Sequence, residues 1–213
     1  MFIDPSTGGD AQSVGVPGPQ KRKRPVTFYL RGIVRTPSYS FSDIAIDQPI
    51  WRGTAMLLAG LAVAGALFGL GGLIPDYEGL QGATIGVVGF TLGGYTAFLS
   101  LVVLLHLIGK TFEGEASIAE ELSAMTFAAL SFWLLVPTAL AWLVAGIAGP
   151  WILTLGIILT SLAVIRLTYI AIREANRFVG TQAILTMLML PLGMGLLAIA
   201  TFFVFAFGTL ILE

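Results

Sequence analysis

Past Arg52 the chain stops mixing polar and apolar positions and becomes almost continuously apolar. Gly53–Ile74, Ala83–Gly109, Leu122–Gly149 and Ala183–Leu212 hold no Lys, Arg, Asp or Glu, and Trp151–Ile172 holds only Arg166. A bilayer's hydrocarbon core takes about 20 consecutive apolar residues per helix, so each run is long enough to cross. Backbone in lipid must satisfy its own N–H and C=O groups, as helices or as closed barrels. Runs that are apolar at every position lack the period-two alternation of a barrel strand. The pattern predicts an all-α fold, a polytopic transmembrane helical bundle of five spans filling residues 53–213.

Ahead of the spans the pattern changes twice. Residues 1–24 are Gly, Pro, Ser and Gln followed by the basic run Lys21, Arg22, Lys23 and Arg24, with little to bury; they are expected to be a disordered basic tail. Residues 25–52 are amphipathic. Thr36 is placed to cap a short helix with Pro37 at its first position, where a missing N–H costs nothing. Phe41, Ile44 and Ala45 then share one face, while Phe28, Tyr29, Tyr39 and Trp51 are aromatics of the kind found at membrane interfaces. The segment is expected to lie as a short cytoplasmic interfacial helix before span one. The apolar run begins too late for a cleaved signal peptide to be expected.

Charge gives the spans a direction. Lys21–Arg24, Arg31, Arg35 and Arg52 precede span one, Lys110 follows span two, and Arg173 and Arg177 follow span four. The alternate connections carry no base: residues 75–82 hold Asp76 and Glu78, and Gly149-Pro150 holds nothing charged. The positive-inside rule then puts the amino terminus in the cytoplasm and, with five spans, Glu213 outside. Mean hydropathy of +0.92 and 11% charged residues agree with a membrane chain. With no cysteine, disulfides, thiolate metal sites and Fe–S clusters are excluded. On a membrane-side tail the basic run reads as attraction to anionic headgroups, not as nucleic-acid binding.

Small residues and prolines mark the packing. Gly65 with Gly69, Gly82 with Gly86, and Gly89 with Gly93 form GxxxG pairs that let helices approach closely. Helices one and two are expected to pack along them, with a homo-oligomeric contact as the alternative. Pro137 and Pro191 fall inside spans three and five and should kink them. Between spans two and three, Ser117 and Glu120 form a capping box. Glu113, Glu115, Glu120 and Glu121 read as a solvated, dipole-matched helix entry, or else as a divalent-cation site lacking EF-hand spacing.

Little chemistry is on offer. His106 and Arg166 are the ionisable residues within the spans, both near the expected cytoplasmic ends. Arg166 can snorkel to the interface. His106 is the sole histidine, so it is the one candidate cofactor ligand, for haem or chlorin, against a reading as a hydrogen-bonded interfacial residue. There is no G-x-S-x-G, Walker A or H-E-x-x-H motif, no metal cluster, and no carboxylate inside an expected span. A non-enzymatic protein without a cofactor is expected, one that acts by interaction as scaffold, membrane organiser or accessory subunit. The bilayer, other membrane proteins or a second copy would be its partners. A transporter or channel for a small solute, or a pigment- or haem-binding subunit, are the alternatives.

Two short motifs point to a family. The entry segment Gly32-Ile-Val-Arg-Thr-Pro37-Ser-Tyr-Ser-Phe41 places aromatics just after a proline, ahead of span one. The loop Gly109-Lys-Thr-Phe112-Glu-Gly114-Glu115-Ala-Ser117 follows the pattern G-x-x-F-x-G-E-x-S, and Pro137 sits in span three. From about Gly32 to Phe207 the chain resembles bacterial members of the Yip1 (Yip1-domain) family of five-span membrane proteins. The resemblance implies five helices, a cytoplasmic amino terminus, a bacterial inner-membrane location and no catalytic residues.

Overall fold

A computed structural model describes residues 24–71, 79–145 and 148–195. All described elements are helical: α1 (Val26–Arg35), α2 (Pro37–Asp47), α3 (Ile50–Leu70), α4 (Gly79–Thr111), α5 (Ile118–Val144), α6 (Gly149–Asn176) and α7 (Gly180–Gly195). Four of them, α3 to α6, are long and apolar enough to cross a membrane. The fifth expected span is described only as α7, which alone is too short; residues 196–213 lie outside the described residues, as do Lys21, Arg22 and Lys23. At 28 residues, α6 is about 42 Å long against a core of about 30 Å.

Up-and-down connectivity brings the start of α3, the end of α4, the start of α5, the end of α6 and the start of α7 to one end of the bundle. Because Arg52, Lys110, Arg173 and Arg177 lie there, we call it the basic end. α1 and α2 pack on this same end. Sequence reading places a single helix in this segment, after Pro37; α1 is a second one. Pro37 does open α2, but the Thr36 hydroxyl makes no capping bond, and its backbone N–H instead closes α1 by bonding to the Gly32 carbonyl at 2.7 Å. At φ −142° and ψ 69°, Thr36 lies outside the extended geometry usual for a capping residue.

The main apolar cluster also lies at the basic end. Tyr29, Phe41, Ile44, Leu57, Leu105 and Phe127 are each at most 1% exposed. Phe41 and Ile44, read from sequence as interfacial contacts, are thus inside the protein: they hold α2 against α5 and α6, and they present no surface to lipid.

Towards the other end, α3 and α4 approach until backbone meets backbone. A Cβ on Gly65 would collide with the Gly86 carbonyl, and one on Gly69 with that of Gly82. Gly65, Gly69, Gly82 and Gly86 therefore form the expected seam. Gly89 and Gly93 do not: nothing stands within 4 Å of the Cβ either would carry. The cause is a π-helical stretch, Gly89–Gly93, inside α4. Its i→i+5 turn turns less per residue than an α-helix, so Phe90 and Gly94, not Gly89 and Gly93, stay on the α3 side. Gly94 packs on Leu61 and Phe90 lies 5.7 Å from Phe68, ring centre to ring centre.

Pro137 acts locally in α5. It has no N–H for the carbonyl of Trp133 and crowds it, and the stretch just before it, Ala129–Leu134, is tightened into 3-10 helix. Trp133 donates its indole N–H to the Met56 carbonyl at 3.0 Å, tying the irregular stretch to α3. Pro191 lies within α7, which stays helical to Gly195.

Candidate functional site

The loop between α4 and α5 turns back over the end of α6. Lys110 donates to the Gly114 carbonyl at 2.9 Å, and the Gly114 N–H bonds to the Gly109 carbonyl at 3.0 Å. Glu113 adopts φ 65°, a left-handed turn. A Cβ on Gly114 would run into the Asn176 side-chain oxygen, so only glycine allows the loop to lie this close to α6. The Phe112 carbonyl accepts from Gln182 of α7 at 3.3 Å, and Glu115 pairs with Arg177 at 2.7 Å. Ser117 and Glu120 make the full reciprocal capping box that starts α5. Through the Gly109 and Phe112 carbonyls, Gly114 and the Ser117 cap, the loop G-x-x-F-x-G-E-x-S thus joins α4, α5, α6 and α7.

Beneath the loop is a buried polar group that the sequence reading did not assemble. Glu121 is fully buried, with its Oε2 2.8 Å from His106 Nδ1 and its Oε1 3.4 Å from Asn176 Nδ2. Asn176, 2% exposed, also donates to the Ile172 carbonyl. One side chain each from α4, α5 and α6 therefore meet in one network. This corrects the reading of Glu121 as part of a solvated carboxylate cluster. Glu115 remains at the surface, Glu120 is consumed by the cap, and Glu121 faces inward. Glu121, Ala124, Met125 and Ala128 share one face of α5, and all four are buried. His106, the candidate cofactor ligand, has Nδ1 committed to Glu121.

Alongside this network a cleft of about 380 Å³ opens at the basic end, lined by α2, the loop and the end of α6. Its charged walls are Glu115, Glu120, Arg173, Glu174 and Arg177. Arg173 is held by Glu174 and donates to the Ser38 hydroxyl at 2.8 Å, which joins α2 to α6. The Arg177–Glu115 pair is far more open, with side chains 68% and 62% exposed. Among the described residues no three His, Asp or Glu side chains are grouped to hold a metal ion.

On the outer side of α2, Arg24 pairs with Asp43 and, at 3.5 Å, with Asp47. Tyr29 donates to Asp47 at 2.8 Å. Burial, helped by the Asp47 carboxylate, pushes the Tyr29 phenol up to about 12. Arg166 is exposed on α6, outside all of these groups.

Long apolar helices, exposed along their flanks to Leu, Ile and Val and tied at one end by a charged, hydrogen-bonded layer, define a multi-pass membrane helical bundle. A family model, the Yip1 domain, matches residues 31–202, and the chain belongs to the Yip1 family. No curated protein and no solved structure matches it.

Proposed function

We propose that this Yip1-family chain works by interaction, as a scaffold, membrane organiser or accessory subunit, and not as an enzyme. In this reading it sits in a bacterial inner membrane with five spans, its basic end in the cytoplasm and its carboxyl terminus on the opposite side. The partner is another membrane protein or a second copy, and it docks on the cleft formed by α2, the α4–α5 loop and the end of α6. The observation that carries this is the exposed Arg177–Glu115 pair on the rim of a cleft whose other charges are tied into the bundle. Exposed ion pairs contribute about 0–1 kcal/mol to folding, so stability alone gives little reason for these two charges.

Below the His106–Glu121 pair the sequence of α4 and α5 holds no Lys, Arg, Asp or Glu that would hand a proton onward. That favours contact over proton-coupled transport.

The test uses charge reversal. Exchanging the two residues, Glu115→Arg with Arg177→Glu, keeps the internal pair while inverting the rim. Partners recovered in mild detergent with the wild type should be lost from this variant at unchanged melting temperature; full recovery would sink the docking surface. Reporter fusions in residues 75–82, at Gly114 and after Glu213 should read outside, inside, outside. An inside signal at the carboxyl terminus removes the fifth span. Proton flux into liposomes that disappears on His106→Ala would replace the interaction reading with transport.

A further inference from the structure

A second open feature lies on the other side of α2. α1 and α2 cross tightly where Gly32 meets Ser40; a Cβ on Gly32 would overlap the Ser40 hydroxyl. Outward from this crossing the helices diverge into a groove of about 680 Å³. Arg31 and Arg35, one turn apart, line its α1 wall with Phe28, and Tyr39 and Asp43 line the α2 wall. Asp43, the groove's one acid, is already engaged by Arg24. Among the described residues neither Arg31 nor Arg35 forms an ion pair or a side-chain hydrogen bond. Two uncompensated guanidiniums therefore face the same open space.

We infer that this groove binds the phosphate of an anionic phospholipid headgroup. Guanidinium groups match phosphate oxygens with paired N–H donors, and two of them a turn apart supply the complementary charge. Height in the membrane argues for lipid over a soluble phosphate. The groove is carried by helices packed at the start of α3, where Trp51 stands 85% exposed, and Tyr39 is 79% exposed on the groove itself. Aromatics so exposed at the mouth of a span are at home at headgroup level, where ring and polar edge are both satisfied. The site is separate from the cleft around Glu115 and Arg177, so lipid binding and partner docking can each fail without the other.

The full chain in mild detergent is titrated with phosphatidylglycerol or phosphatidylcholine, and bound lipid is counted by native mass spectrometry. Phosphatidylglycerol should be retained in preference. Arg31→Gln or Arg35→Gln alone should weaken it roughly five-fold, and the two together about thirty-fold, at the usual electrostatic worth of a base near an anionic surface. Arg31→Lys with Arg35→Lys should recover most of the binding. Unchanged phosphatidylglycerol affinity in the double glutamine variant overturns the inference. So does loss that follows only from neutralising Lys21, Arg22 and Lys23. Displacement of the lipid by an equal concentration of soluble glycerol phosphate would assign the groove to free phosphate instead. A lower melting temperature in the double variant would mark the arginines as structural and likewise overturn it.

Discussion

At the basic end, Tyr29, Phe41, Ile44, Leu105 and Phe127 are packed out of reach of solvent around a polar network of His106, Glu121 and Asn176. At the opposite end the buried cluster among the described residues is Ala64, Phe68 and Ala139, and α3 meets α4 through glycines. The same helices run through both regions, but their surroundings differ. Where water is near, burying large apolar side chains is favourable in itself. Within lipid a leucine gains nothing by leaving one apolar environment for another, so association falls to close packing of backbone on backbone. Among the described residues, large buried side chains therefore hold one end, while glycine backbone contacts and the aromatics around Phe68 hold the other.

Removing a member of the polar network should break the basic end most severely. Glu121→Ala leaves buried Asn176 and half-buried His106 without this partner, and we expect a loss of about 1–3 kcal/mol, read as a drop in melting temperature in detergent. If His106→Ala combined with Glu121→Ala costs as much as the two single changes added together, the residues are not a unit.

The opposite end is tested by size. Gly69→Leu should cost about 1–3 kcal/mol by overpacking against the Gly82 backbone, while Gly89→Leu and Gly93→Leu should stay within about 0.5 kcal/mol. Equal sensitivity at all three positions would mean that the π-helical stretch does not set the seam. A smaller effect, about 1 kcal/mol, is expected when Ser117→Ala removes the cap of α5; it should appear as faster amide exchange in the first turn of that helix.

Smallest is an alkaline effect confined to the basic end. Tyr29 is raised from 10.0 to about 12 in the folded chain, so its neutral, hydrogen-bonded form stabilises fully below pH 10. That contribution is lost as pH rises towards 12. Tyr29→Phe should flatten this part of the stability profile while leaving the glycine seam untouched. An unchanged alkaline slope would show that the phenol's burial has no energetic consequence.

How much of this the sequence disclosed follows the same divide. Apolar length is a property of each run alone, so α3 to α6 were legible with only small shifts at their ends. The capping box was legible because its two partners are three residues apart. Glu121 was not, because its partners come from α4 and α6, and the count of acids in its loop concealed that it faces a different way from Glu115 and Glu120. Gly89 and Gly93 misled for another reason: their spacing is right for a regular helix, and no residue type announces a widened turn. α1 went unread because a ten-residue amphipathic stretch looks the same whether its apolar face meets lipid or protein; here Tyr29 packs edge-on against Phe127 of α5.

That widened turn gives α4 a freedom that a uniform rod lacks. A regular helix is a single screw: any change in rotation that suits residues near Gly82 is imposed on Val102 and Leu105 further along. Gly89–Gly93 works as a slipped thread between two lengths of that screw, so the glycine half can be indexed to α3 while the His106 half is indexed to α5 and α6. Deleting one residue there, Thr91 for instance, would regularise the thread and force the two halves to share one phase, which no rotation of α4 satisfies for both sets of neighbours.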